Sequence, residues 1–186
     1  MKNLTINNEA INIPAKEIAL LGPDLVLNDC IVEIKCASKD LSITGLTMEG
    51  GRFNAKKELC NFQIKNSCFR NVEFLGSYSG VDFGEDGAFS SCDFSKASLD
   101  NCRFISADLT DIVLPKAGHI VLNRDTIADL KEESKRCHPK VGMFIQVISE
   151  NQPTEVTGII VNENKLAKRL KIEVSDVEIL RKFTSA

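Results

Sequence analysis

Between Gly87 and Leu114 every fifth residue is large and apolar: Phe89, Phe94, Leu99, Phe104, Leu109 and Leu114. Two residues ahead of each stands a small or compact one: Gly87, Cys92, Ala97, Cys102, Ala107 and Ile112. A period of five fits neither the 3.6 of a helix nor the 2 of a strand, so it describes a coil that repeats. Looser copies precede it at Gly51-Arg52-Phe53, Cys60-Asn61-Phe62, Ser67-Cys68-Phe69, Val72-Glu73-Phe74 and Val81-Asp82-Phe83. A stricter phase runs through Leu59, Ile64, Phe69 and Phe74, and reaches Phe89 in three whole steps, which places the two missing centres at Ser79 and Gly84. The Gly-rich stretch near 75–87 is therefore either a degenerate part of the coil or a bulge that returns in register.

Upstream, Asp24 to Glu49 alternates as strands do, through Leu25, Leu27, Ile31, Ile34, Leu41, Ile43, Leu46 and Met48. That pattern suits a first coil or a capping hairpin covering an open edge. Pro115 stops the repeat. Beyond it, Asp125 is placed to cap a helix running to Cys137 and ended by Pro139, while Val141 to Ile148 reads as helix or strand. Pro153-Thr154-Glu155 looks like another helix start, Asn164 to Leu170 is helical by composition, and Ser175 caps a last helix over Asp176 to Phe183, with Val177, Leu180 and Phe183 along one face. The expected organisation is a β-helix over 1–116, with an irregular N-terminal coil or cap, followed by a helical C-terminal region over 117–186.

The motif of a small residue, any residue, then Leu or Phe at the centre of five resembles the pentapeptide-repeat family. That resemblance implies a right-handed quadrilateral parallel β-helix, four pentapeptides to a square turn, with small and large residues both facing inward. It covers roughly residues 50–186. The tail segments Gly118–Asp125, Val141–Pro153 and Leu166–Leu170 are similar in layout to the tails of bacterial toxin-immunity proteins of that family. A second branch resembles DNA-mimicking protectors of DNA gyrase and other topoisomerases, which are long uniform rods; six clean repeats, about one and a half coils, fit the first branch better.

Charge sharpens this picture. The net charge is −3, but residues 1–114 carry 11 Lys/Arg against 16 Asp/Glu, whereas 115–186 carry 12 against 10. Within 75–114, Lys96 and Arg103 face Asp82, Glu85, Asp86, Asp93, Asp100, Asp108 and Asp111. A negative field of this kind repels nucleic acid and attracts basic partners. Those seven acids, with Tyr78 as an aromatic anchor, form the candidate partner-binding set.

Other chemistry finds little material. There is no phosphate loop, GxSxG or HExxH, and His119 and His138 are the only histidines, so no enzyme, cofactor or metal is expected. The seven cysteines are odd in number and lack a CxxC; Cys92 and Cys102 fall on the small inward position. Leu166 to Leu180 resembles a helix-turn-helix, yet Asp176 and Glu178 stand where phosphates would pass, so helix packing explains it better. Without a membrane-length apolar run or an apolar leader, the cytoplasm is the expected compartment. The leading expectation is an immunity protein that forms a tight heterodimer with a cognate toxin, a nuclease by the logic of complementary charge. The alternatives are a gyrase protector or a structural β-helix adaptor, and a homodimer is also allowed.

Overall fold

The computed structural model describes residues 1–150 and 152–183 and shows stacked parallel strands forming a β-solenoid of about five turns, with short helices at its C-terminal end. The first coil is β1 (Leu4–Asn7), β2 (Ala10–Ile13) and β3 (Ala19–Leu21); the second is β4 (Leu25–Asn28), β5 (Ile31–Ile34) and β6 (Leu41–Ile43). The third holds β7 (Leu46–Glu49), β8 (Arg52–Cys60) and β9 (Gln63–Lys65). Next come β10 (Cys68–Arg70), β11 (Glu73–Ser79) and β12 (Asp82–Glu85), and then β13 (Ala88–Ser90), β14 (Ala97–Asp100) and β15 (Cys102–Ile105). Equivalent strands stack in parallel, in the orders β1-β4-β7-β10-β13 and β2-β5-β8-β11-β14, so the first strand starts at Leu4 and Asp24–Glu49 is a coil, not a capping hairpin. The early coils escape a five-residue search because their strands turn two residues inward, as with Leu25 and Leu27 or Val32 and Ile34.

Corners fix the coil. Asn8, Asp29, Gly50, Asn71 and Ser91 succeed one another along one corner at φ between +50° and +70°, a left-handed region open to Gly and tolerated by Asn and Asp, whose short side chains bond locally. Their amides reach the next coil: Asn8 N donates to Asn28 O, Asp29 N to Glu49 O and Asn71 N to Ser90 O. Inside, rings stack coil on coil: Phe69 on Phe89 at 4.8 Å, Phe74 on Phe94 at 4.3 Å and Phe83 on Phe104 at 5.1 Å. Each such pair adds roughly 0.5–1.5 kcal/mol beyond its burial.

The Gly-rich stretch returns in register by a route other than the strict phase. Tyr78, not Ser79, is the inward centre, paired with Leu59 and Leu99; Phe83, not Gly84, is the next, paired with Ile64 and Phe104. A short step into Tyr78 is recovered at Gly84, where the pairing of β12 with β9 shifts between Phe83 and Glu85. Gly84 sits at φ +97°, and a Cβ there would lie 2.5 Å from Ile105 O.

After Pro115 the chain alternates strands and helices: β16 (His119–Asn123), α1 (Arg124–Glu133), α2 (Pro139–Glu150), β17 (Val156–Asn162), α3 (Glu163–Leu170) and α4 (Val174–Val177), followed by 3-10 turns over Glu178–Phe183. The expected helices are there, but their limits differ. Asn123 caps α1 by accepting from Thr126 N, Pro139 opens α2, Glu173 caps α4, and Pro153–Glu155 leads into a strand. The side chain of Phe183 lies outside the described residues. Both strands extend the solenoid: β17 pairs antiparallel with β15 and β16 with β17, giving the order β16-β17-β15-β12-β9. Behind this sheet Ile120, Leu122, Leu130, Val141, Ile145, Ile148, Leu166, Val177 and Leu180 form a second core. Val177 and Leu180 are buried there and α4 is a single turn, so Leu166–Leu180 is a packing element and not a groove-reading one.

Candidate partner-binding face

A β-solenoid that stops leaves a rim of unpaired amides, and such groups cost free energy unless something accepts from them. At the C-terminal rim several do find acceptors. Phe94 N donates to Val113 O and Ser106 N to Glu155 O, both backbone. Ser91 N donates at 2.7 Å to Asp111 Oδ2, so a carboxylate occupies the place that carbonyls fill in earlier coils. Leu99 N donates at 3.2 Å to His119 Nε2. On β17, Asn162 N donates to Asp100 Oδ1 at 3.2 Å.

This seal settles where the candidate residues lie. Tyr78 is 0% exposed; its hydroxyl donates to Leu75 O at 3.0 Å and Phe53 O at 3.3 Å, and burial pushes the phenol well above its ordinary range. It is a core residue, so the expectation of a surface anchor is corrected. Asp82, 6% exposed, is gripped by Arg103 through both oxygens at 2.7 and 2.6 Å and receives Gln63 Nε2 at 3.4 Å. The same carboxylate raises the Arg103 guanidinium above its usual range. Asp100, 3% exposed, holds Arg169 of α3 at 2.9 Å. Neither carboxylate is available to a partner while these pairs persist. Part of the counter-charge to these acids belongs to the chain's own tail, through Arg169.

The remaining five are more accessible. Asp86 is exposed at a left-handed corner, and Glu85 pairs with Lys65 at 3.1 Å. Asp93 accepts from Ser95 N at 2.7 Å, and Asp108 from Thr110 Oγ1 at 2.7 Å and Thr110 N at 2.9 Å; the Ser95 and Thr110 side chains first, and these amides second, hold both carboxyls below the ordinary range. Asp111, exposed, is the rim cap. Cys92 and Cys102 are buried as expected, and burial pushes their thiols up to about 11 and about 12.

The structure adds a feature that no local motif announces. Where the last coil meets β16 and β17, an open groove of about 1130 Å³ has Ala107, Leu109, Leu114, Pro115, Val121 and Val156 along it, with Asp108, Thr110, Lys116, Arg124, Asp125 and Thr154 among its polar lining. It exists because the core column ends there: Leu109 and Leu114 are only partly buried, with no further coil over them. Gly158 of β17 lets the tail approach, since a Cβ there would lie 2.4 Å from Leu109 Cδ1. The only sequence signal for this groove was the end of the repeat itself. A second hollow of about 340 Å³ lies on a solenoid side over Asn61, Gln63, Gly80, Asp82, Asn101 and Arg103.

Among the described residues no group of three His, Cys, Asp or Glu side chains is placed to hold a metal ion, and no helix is long and apolar enough to cross a membrane. Comparison with family models, curated proteins and solved structures returned no match to this chain.

Proposed function

We propose that this β-solenoid is a protein inhibitor, an immunity protein that neutralises a cognate bacterial toxin by one-to-one binding through its C-terminal end. The observation that carries the proposal is the groove: an apolar floor at the truncated core column, edged by Lys116, Arg124 and Asp125, for which no ion pair is made among the described residues. A cleft combining apolar surface with a few polar groups is where a partner gains most from desolvation. The exposed carboxylates Asp108 and Asp111 adjoin it along the chain, and Asp86 and Asp93 lie in the preceding coil. They give the same end a field that speeds association with a basic partner, as nuclease toxins are. A stacked, ring-filled coil is already ordered before binding, so little conformational entropy is lost on association.

The sides of the solenoid favour the end as the site. They carry charge ladders of mixed sign, such as Arg52–Glu73–Lys96 and Lys35–Glu33–Lys56, in place of the continuous acid strip a DNA mimic needs. The test is co-expression with the open reading frame immediately upstream of its gene, followed by gel filtration and a growth-rescue assay. A one-to-one complex and rescued growth are expected, both weakened at least tenfold by the paired changes Thr154→Arg and Asp125→Lys at exposed groove positions. Failure to form a complex, with no toxicity from the neighbour, overturns the proposal.

A further inference from the structure

His119 is the one rim acceptor that carries a titratable nitrogen on an imidazole, and its two hydrogen bonds fix its state. Nε2 accepts from Leu99 N at 3.2 Å, so it carries no proton; Nδ1, 2.8 Å from Ala117 O, therefore bears the hydrogen and donates it. Only the neutral ring with Nδ1–H meets both demands. A second proton would go onto Nε2 and face the Leu99 N–H, donor against donor. The bond is lost whatever the affinity of the ring for that proton, and the Leu99 amide loses its acceptor at the solenoid rim.

We infer that His119 is a pH-sensitive latch between the last coil and the tail, closed when neutral and released on protonation. Its position gives release a consequence. His119 is the first residue of β16 and lines the groove together with Lys116 and Val121. Protonation loosens the start of β16 from β14 and adds a third cation beside Lys116 and Arg124. The charged groups on the surrounding elements are Asp100 of β14, engaged by Arg169 of α3; Asp108 after β15; Lys116 ahead of β16; Glu163 at the start of α3, bound to Arg181; and Arg124 and Asp125 at the start of α1. Asn162, opposite His119 in the β16–β17 pair, is neutral. Gating of partner binding rests on the inhibitor proposal above; the latch itself does not.

The free protein suffices to test the latch. Amide exchange of Leu99 is followed by NMR from pH 8 to pH 5, corrected for intrinsic rates, while the imidazole signals report protonation in the same samples. Loss of one such bond is expected to lower Leu99 protection about tenfold as the His119 ring becomes charged. His119→Gln, which keeps an acceptor that does not titrate, is expected to abolish that change, and His138→Gln to leave it intact. Unchanged Leu99 protection through the titration of His119, or persistence of the change in His119→Gln, overturns the latch. Pulling the toxin partner down at pH 8 and pH 5 then reads the gating separately: absence of any complex counts against the inhibitor proposal and leaves the latch standing.

Discussion

Asp100 is the residue on which the join between coil and tail turns. Its carboxylate is buried and takes both Arg169 Nη1 and the amide of Asn162, so one side chain ties β14 to the tail strand β17 and to α3. Asp100→Ala leaves that amide without its acceptor, while Arg169 is exposed enough to recover water. The expected loss is about 1 kcal/mol in a urea titration, because the half-buried amide falls at the low end of the roughly 1–3 kcal/mol that an unsatisfied donor costs. Asp86→Asn, which removes the charge but suits the same exposed left-handed corner, is expected to change stability by less than about 0.5 kcal/mol. Equal effects from the two substitutions would contradict this division between sealing and surface acids.

At the scale of the element, the coil is held by its corners and by the inward column, and Gly84 serves both. It is the extra residue that restores the phase after the short step into Tyr78. Gly84→Ala forces a side chain into a left-handed backbone and towards Ile105 O, so a loss of about 2 kcal/mol is expected, read as a lower unfolding midpoint with an unchanged denaturant slope. The regular repeat was legible because small and large residues recur at fixed spacing wherever a coil is five residues to a side. The first two coils were only half legible: alternation at Leu25/Leu27 marks strands, but parallel stacking is a long-range pairing that no local spacing encodes. The strands β16 and β17 were missed for the same reason. Val156–Asn162 carries the short apolar run Ile159–Val161, and its role as the covering strand of β15 depends on a partner some fifty residues earlier. Tyr78 misleads any local reading because an aromatic ring in a Gly-rich stretch suits a surface anchor and a core centre alike, and only the stacked coils decide for the core.

For the molecule as a whole, the uneven charge read from the chain becomes internal complementarity. Lys165 and Arg169 of the tail face Glu58 and Asp100 of the solenoid, so much of the apparent acidity is already answered. Hydrogen bonding from Lys165 lowers the Glu58 carboxyl, and that from Lys96 lowers Glu73. Groups lowered in the folded state contribute stability that is complete above the unfolded carboxylate range near 4 and fades as pH falls through their folded values. Stability is therefore expected to be flat between about pH 6 and 5 in these carboxylates and to fall below about pH 4. The contribution is modest, under about 1 kcal/mol for each exposed pair. A urea midpoint that rises on acidification below pH 4 would contradict it.

What the molecule presents outward is then its end, where the core column stops at Leu109 and Leu114 beside Lys116 and Arg124. The most direct measurement is hydrogen exchange across the whole chain, free and in complex with whatever partner the proposed co-expression recovers. Protection gained at 107–125 and 154–157 is the expected result. Protection confined to the side around Gln63, Asp82 and Arg103, with the groove unchanged, would contradict it.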